Sequence, residues 1–217
     1  MADPLSLQIT NPQSQGSGTT AYFGGTPFGS LRSAPYEPRY AELARNGRLF
    51  TASITVAQAI APLQVLPTTV AGFYLHNADT SNSVYLLPLR VGVALASGTA
   101  DTGISLVGWV TPSATVSPIS ANGTGCLVQG TRGGGSSSAF FGVSQTVPVG
   151  GAPITIATVA NAASTTPGVG ATGDCEGCFL IRPSYGFCLH GLSGAGTTAK
   201  LIVNILWAEL TYTSLPS

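Results

Sequence analysis

Three cysteines and a histidine in the last third of the chain are residue types that bind zinc. They are Cys175, Cys178, Cys188 and His190, within 175-CEGCFLIRPSYGFCLH-190. A C-x-x-C pair with a further Cys and His would supply the four ligands of a structural zinc site. Against this, Cys178 and Cys188 lie in apolar sequence, where a thiol packs as a small hydrophobic residue. We therefore expect no metal or other cofactor, and the Cys3His set remains the alternative.

Two further motifs contain residues that hydrolases use. The segment 190-HGLSGAG-196 is similar to the nucleophile elbow G-x-S-x-G, but Ala195 replaces the last glycine and no strand-to-helix turn is predicted there. Asp174 and Glu176 are closely spaced acids in a glycine-flanked loop, which suits solvated carboxylates or a calcium-type oxygen site as well as acid–base catalysis. We predict that the chain is not an enzyme.

The low charge of the chain narrows the possible partners. Of 217 residues, 8 are Lys or Arg and 8 are Asp or Glu, so 7% are charged and the formal net charge is zero. Nucleic-acid binding needs clustered cations that displace counterions from phosphates, so we expect no nucleic-acid partner. Because 44% of the residues are hydrophobic, the chain can fold. We expect uncharged polar side chains and contacts with other chains to cover its surface.

Neither a secretory signal nor a membrane span is predicted. The segment 1-MADPLSLQITNPQSQ-15 lacks a basic region followed by an apolar one. The longest apolar run, 84-VYLLPLRVGVAL-95, is interrupted by Pro88, Arg90 and Gly92, well short of the roughly 18 apolar residues of a transmembrane helix. We expect no membrane partner and synthesis in a cytoplasm.

Residues 1–48 are predicted to form an extended N-terminal arm. Six of the 16 charges lie between Arg32 and Arg48, and the preceding run shows neither strand nor helix periodicity. The segment 36-YEPRYAELARNGRLF-50 predicts a short helical turn that ends at Asn46-Gly47. Aromatic residues are uncommon in disordered tails, so we predict that the arm binds a partner rather than forming a solvated tail. Its candidate contact residues are Tyr22, Phe23, Phe28, Arg32, Tyr36, Arg39, Tyr40, Arg45 and Arg48.

From residue 49 onward the chain consists of short β-rich runs, and this pattern predicts an all-β, antiparallel β-sandwich over 49–217. In the first run, Phe50, Ala52 and Ile54 alternate with polar residues, as in a half-buried strand. The last run is apolar at nearly every position, which predicts a central strand. The candidate strands are 49–56, 63–70, 71–77, 84–95, 104–110, 139–147, 153–159, 178–181, 186–192 and 201–212, with long uncharged loops at 111–125, 130–138 and 160–174.

Three features resemble the jelly-roll cement or decoration proteins of tailed bacteriophage capsids. They are the Gly/Ser/Thr/Ala-rich strands and uncharged loops, the aromatic arm ending in 45-ARNGRLFTASI-55, and the terminal strand 201-LIVNILWAELTY-212. The resemblance implies a jelly-roll-like sandwich located in the virion and assembled as a homotrimer. It also implies a major capsid protein or another virion protein as the partner, with the arm as a tether.

A fibre or spike head that binds glycans is the alternative function. Trp109, Trp207, Tyr74, Tyr85 and Tyr185 would supply its aromatic surface. However, Trp109 and Trp207 lie within predicted strands, where large aromatic side chains usually fill the core.

Overall fold

A computed structural model describes residues 40–64, 72–98, 103–112, 121–131, 136–143, 153–159, 170–175, 178–193 and 199–211. The chain divides into two units, Met1–Ala41 and Glu42–Ser217. Most of the arm therefore lies outside the described residues, and the boundary between residues 48 and 49 stays a prediction. Other parts of the chain named above also lie outside the described residues. They are most of the candidate strand 63–70, Glu176, and the arm residues Tyr22, Phe23, Phe28, Arg32, Tyr36 and Arg39.

The predicted helical turn is present as α1, Ala41–Arg45. It ends where the sequence indicated, because Gly47 adopts a φ of 67°, a left-handed conformation that glycine adopts without steric cost. The amide of Arg48 donates to the carbonyl of Leu43 at 2.8 Å and closes the helix end. The chain then enters the first strand.

Within the described ranges, ten strands follow, with a 3₁₀ turn at Val56–Gln58 after the first. They are β1 (Leu49–Ile54), β2 (Phe73–Asn77), β3 (Val84–Ser97), β4 (Ile104–Pro112), β5 (Cys126–Gly130), β6 (Ala139–Val143), β7 (Ile154–Val159), β8 (Gly170–Asp174), β9 (Tyr185–Ser193) and β10 (Lys200–Thr211). Sheet A has the order β5-β1-β10-β3-β8, and sheet B has the order β6-β2-β9-β4-β7.

The strand pairing is that of a jelly roll. β1 pairs with β10, β2 with β9, β3 with β8 and β4 with β7, all antiparallel, so the chain forms one long hairpin rolled into two sheets. β5 and β6 extend the sheets beside β1 and β2. The prediction of an all-β antiparallel sandwich is confirmed, and β10 is the central strand of sheet A as its apolar sequence indicated.

The core lies between the two sheets. Phe50, Ala52 and Ile54 of β1 face it, as their alternation predicted. The Phe50 and Trp207 rings stack with centroids 5.9 Å apart, and Phe179 packs against Phe187 at 4.7 Å. This core fixes which face of each strand points outward.

Three assignments made from the sequence are wrong. Residues 178–181 do not form a strand: the Cys178 amide donates to the Cys175 carbonyl at 3.0 Å in a turn, and Ile181 makes only a single bridge to Leu86. The predicted loop 160–174 ends in β8, and β5 was not predicted. The composition of β8 gives a weak strand signal because glycine has low strand propensity, yet a Cβ at Gly173 would overlap the Ile156 carbonyl.

Candidate interaction surface

The outward side of sheet A carries two rows of residues that cross all five strands. Strand register places Leu127, Ser53, Asn204, Gly92 and Thr172 in one row. The next row contains Gln129, Thr51, Leu206, Arg90 and Asp174. Their strand neighbours, such as Ala52, Val91 and Val93, face the core. We call these ten residues face A.

Face A is accessible and nearly uncharged. Its two charged residues form an ion pair with each other, since Arg90 Nε lies 3.0 Å from Asp174 Oδ1 and both side chains are more than half exposed. Leu127 on the edge strand β5 is 63% exposed. The two charges cancel and the other eight residues are uncharged, a composition that is compatible with a contact surface.

A shallow groove of about 300 Å³ interrupts face A near β3 and β8. It exists because Gly92 and Gly170 lack side chains where the neighbouring strands carry small residues. The Asn204 side chain lies over Gly92, so that a Cβ at Gly92 would overlap the amide oxygen of Asn204. The groove is therefore floored by backbone atoms and small side chains, with the Asn204 amide at its side. Its lining residues are Gly92, Val93, Ala94, Gly170, Ala171, Thr172 and Asn204.

The outward side of sheet B is buried, in contrast to face A on sheet A. Tyr74, Val107, Trp109 and Cys188 form a second apolar cluster, each at most 5% exposed. We call these four residues face B. Tyr74, Cys188 and Trp109 lie side by side on β2, β9 and β4, and the Tyr74 ring lies over Gly186, where a Cβ would overlap it.

Face B contains polar atoms that have no hydrogen-bond partner within the described part of the chain. They are the Tyr74 hydroxyl and the Trp109 indole nitrogen. Burial, with a smaller contribution from Cys188, raises the pKa of Tyr74, and burial raises the pKa of Cys188. Both groups are therefore neutral at physiological pH and act as packing residues.

The two histidines lie beside face B in separate rows. His76 stacks on Tyr74 with centroids 5.9 Å apart. His190 is 3% exposed, and its Nδ1 donates to the Gly191 carbonyl at 2.8 Å. Burial lowers the pKa of His190, and the hydrogen bond to Gly191 opposes this shift. A neutral imidazole is consequently the form that the fold favours.

The structure does not bring the candidate zinc ligands together. Cys175 belongs to the core cluster between the sheets, whereas Cys188 belongs to face B on the other side of sheet B. Cys178 is exposed, so the expectation that it packs in the core is wrong; its amide is hydrogen-bonded to the Cys175 carbonyl just after β8. Within the described ranges, no group of three or more His, Cys, Asp or Glu side chains is placed to hold one metal ion.

The thiol of Cys175 is poorly suited to reactive chemistry. It is 1% exposed, and burial, followed by the neighbouring Cys178 and Asp174, raises its pKa to about 12. A thiol needs a lowered pKa to act as a nucleophile or metal ligand at neutral pH. Cys175 therefore acts as a small apolar core residue.

The described carboxylates have structural partners. Asp79 accepts hydrogen bonds from the Ser83 and Val84 amides, each at 2.9 Å, and from Ser81. Desolvation raises the pKa of Asp79, but these hydrogen bonds lower it by more. Glu209 accepts from Ser137 Oγ at 2.6 Å and from the Ser138 amide at 2.8 Å. Each of these acids holds a loop in place.

The remaining hydrolase motif lies on a strand. Ser193, the serine of 190-HGLSGAG-196, is buried at the end of β9. A nucleophile elbow needs a sharp strand-to-helix turn that exposes the serine. The local structure at Ser193 therefore differs from that of the motif.

Three of the nine candidate arm residues are described. Tyr40 is half-buried, and Arg45 and Arg48 are exposed. Arg48 Nη1 donates to Thr211 Oγ1 of β10 at 2.5 Å, and the Arg48 carbonyl accepts from the Glu209 amide at 2.9 Å. Arg48 thus contacts the sandwich of its own chain, which ties the end of the predicted arm to β10.

Comparison with known proteins gives no family assignment, since no protein-family model and no curated protein sequence matches the chain. Across the described residues, no helix has the length and hydropathy needed to cross a bilayer. Face A was not predicted from the sequence. The sequence signal was the placement of small uncharged residues at alternate positions of β3 and β8. The strand register is needed to show that these residues form one surface.

Proposed function

We propose that the chain is a structural protein of a virion. In this proposal it is a cement or decoration protein that binds a major capsid protein, or another virion protein, on the outer capsid surface and stabilises the shell as a homotrimer. The observation that carries the proposal is face A, an exposed sheet surface whose two charges neutralise each other. A surface of this kind is suited to burial against protein, because few charged groups must be desolvated when it is covered.

The arm supplies the second part of the proposal. Its aromatic residues Tyr22, Phe23, Phe28, Tyr36 and Tyr40 would fill pockets on a neighbouring subunit. Its four arginines, Arg32, Arg39, Arg45 and Arg48, would pair with carboxylates or carbonyls there. Because Arg48 donates to Thr211 and accepts from the Glu209 amide, both in β10, a tether would transmit force directly to the central strand of sheet A.

The placement of the aromatic residues favours this role over a glycan-binding head. Trp109, Trp207 and Tyr74 are at most 1% exposed, so their rings have no free face for a sugar. Tyr185 is half-buried, and the Arg182 guanidinium lies 4.0 Å from its ring centroid. Of the five candidate aromatic residues, only the half-buried Tyr85 and Tyr185 keep part of their side chains accessible to a glycan.

Two measurements test the proposal. Mass spectrometry of density-gradient-purified virus particles from the source of the chain should detect it in stoichiometric amounts, and immunogold labelling should locate it on the outer surface. Light scattering on a sizing column should give a trimer for the full chain and a smaller species after removal of residues 1–48. Absence from purified particles would contradict the virion role. Unchanged self-association and particle binding after truncation would contradict the role of the arm.

A further inference from the structure

A C-x-x-C pair, Cys175 and Cys178, lies directly after the edge strand β8. Cys175 continues the pairing of β8 with β3, because its amide donates to the Leu89 carbonyl at 2.9 Å. The Cys178 amide donates to the Cys175 carbonyl at 3.0 Å, which is the hydrogen bond that closes a four-residue turn. Such a turn holds its first and last Cα atoms within about 7 Å of each other, and a disulfide needs about 4.4 to 6.8 Å. The turn therefore brings the two cysteines within reach of a disulfide bond.

The two thiols differ in their access to solvent. Cys175 is 1% exposed and belongs to the core, whereas Cys178 is exposed. Burial is the main cause that raises the pKa of Cys175 to about 12, and repulsion from a Cys178 thiolate comes next. That second cause agrees with the closeness of the two side chains. A reagent in solution therefore reacts first with Cys178, and Cys175 is reached through Cys178.

We propose that Cys175 and Cys178 form a redox-sensitive pair, which a small-molecule disulfide such as oxidised glutathione converts into an intramolecular disulfide bond. The inference does not depend on the proposed function, because it uses only the turn after β8 and the accessibility of its two thiols. It assigns a chemical role to the one cysteine that lies on the surface of the described part of the chain.

The exchange has two steps. The Cys178 thiolate attacks one sulfur of the small-molecule disulfide, whose S–S bond breaks and releases one thiolate. The Cys175 thiol then gives its proton to water and attacks the Cys178 sulfur, so that the Cys175–Cys178 bond forms and the second small-molecule thiolate leaves. The chain loses two electrons and two protons, and the small molecule is reduced to two thiols. The turn keeps Cys175 next to Cys178, and this proximity favours the second step.

The disulfide would fix the end of an edge strand whose own strand propensity is low. Gly170 and Gly173 occupy two of the five positions of β8, and glycine weakens a strand. The bond would also remove an exposed thiol through which copies of the chain could cross-link. Disulfides are rare in a reducing cytosol and persist in oxidising surroundings. We therefore expect the pair to be reduced in a cytoplasm and oxidised outside the cell.

Thiol counting on the full chain tests the proposal. The reduced chain is incubated with oxidised glutathione, quenched with acid, and labelled with N-ethylmaleimide in denaturant for mass spectrometry. All four cysteines are free in the reduced chain, so we expect the number of labels to fall from four to two. The peptide that contains residues 175–178 should lose two hydrogen atoms and carry no glutathione. The buried Cys126 and Cys188 are internal controls and should keep their labels.

Two variants separate the steps of the exchange. Cys175→Ala should stop after the first step and retain one glutathione on Cys178, whereas Cys178→Ser should take up no glutathione. The matched control Cys126→Ala removes a buried thiol elsewhere in the sandwich and should react as the unmodified chain does. An unmodified chain that retains glutathione on Cys178, or that keeps four free thiols, would overturn the proposal. Both of these results come from the unmodified chain, so they hold even where Cys175→Ala does not fold.

Discussion

The two sheets have equivalent strand pairing, but the outward face of sheet B is buried and that of sheet A is largely exposed. On face B the row Tyr74, Cys188 and Trp109 is at most 1% exposed. On face A the corresponding row contains Leu127, Ser53, Asn204, Gly92 and Thr172, and three of these side chains are exposed. β9 carries apolar residues on both faces, whereas the outward positions of β3 and β8 are mostly small or polar. The comparison shows that the outward residues of a sheet are large and apolar where the face is buried and small or polar where it is exposed.

The largest difference between the faces should appear when one apolar side chain is removed from each. Trp109→Ala should lower the free energy of unfolding by about 3 to 5 kcal/mol, since it empties a buried site. Leu127→Ala should change it by less than about 0.5 kcal/mol, because its side chain is already in contact with solvent. Urea denaturation at low protein concentration measures both values. Equal losses would mean that the two faces are equally buried.

A methyl group added at a glycine on each face gives the next largest difference. Gly186→Ala should destabilise the fold by about 1 to 3 kcal/mol because the new Cβ overlaps the buried Tyr74 ring. Gly92→Ala on face A should cost less than about 1 kcal/mol, since the atom in its way is the end of the exposed Asn204 side chain. Denaturation midpoints compare the pair. A larger cost at Gly92 would contradict the description of face A as open.

Acid should lower the free energy of unfolding of the chain through His190 in sheet B. Its pKa is lowered in the folded state by burial, so the unfolded chain binds the proton more tightly. The stability from the neutral imidazole is full above about pH 6.5 and falls below it by at most about 1.4 kcal/mol per pH unit. In His190→Asn, whose side-chain amide can still donate to Gly191, this loss should be smaller. Identical pH profiles between pH 7 and pH 5 would show that His190 does not contribute.

The smallest effect is expected at the ion pair of face A. Asp174→Asn removes one partner of a pair whose side chains are 55% and 56% exposed, and exposed pairs contribute about 0 to 1 kcal/mol before screening by salt. We expect a change below about 0.5 kcal/mol that vanishes in high salt. Thermal unfolding at low and high salt measures it. A loss of several kcal/mol would mean that the pair is buried.

Much of the fold was accessible from local sequence patterns. The apolar character of residues 201–212 predicted the central position of β10, and Asn46-Gly47 predicted the end of α1. The edge strand β8 was missed because its glycines carry little strand signal, and β5 was missed because it has only five residues between two long predicted loops. The strand structure of both depends on pairing with β3 and β1. The exposure of Cys178 was missed for a similar reason, since a turn closed by one backbone hydrogen bond overrides its apolar surroundings.

The candidate surface was beyond the reach of sequence patterns. Face A joins residues as distant as Ser53 and Asn204, which become neighbours only through the register of β1 and β10. The alternation of residues within one strand does not predict such a row across strands. A shift of one residue in the strand register would turn every side chain to the opposite side of the sheet. By contrast, the burial of Trp109 and Trp207 was predicted, because a large aromatic within a strand usually packs in the core.

The central claim is that the chain functions in an assembly through face A and its arm. Sedimentation equilibrium of the full chain, measured over a range of concentrations, tests this claim most directly. We expect a mass that corresponds to three copies of the 21.9 kDa chain and a smaller mass after residues 1–48 are removed. A mass of 21.9 kDa at every concentration would contradict it.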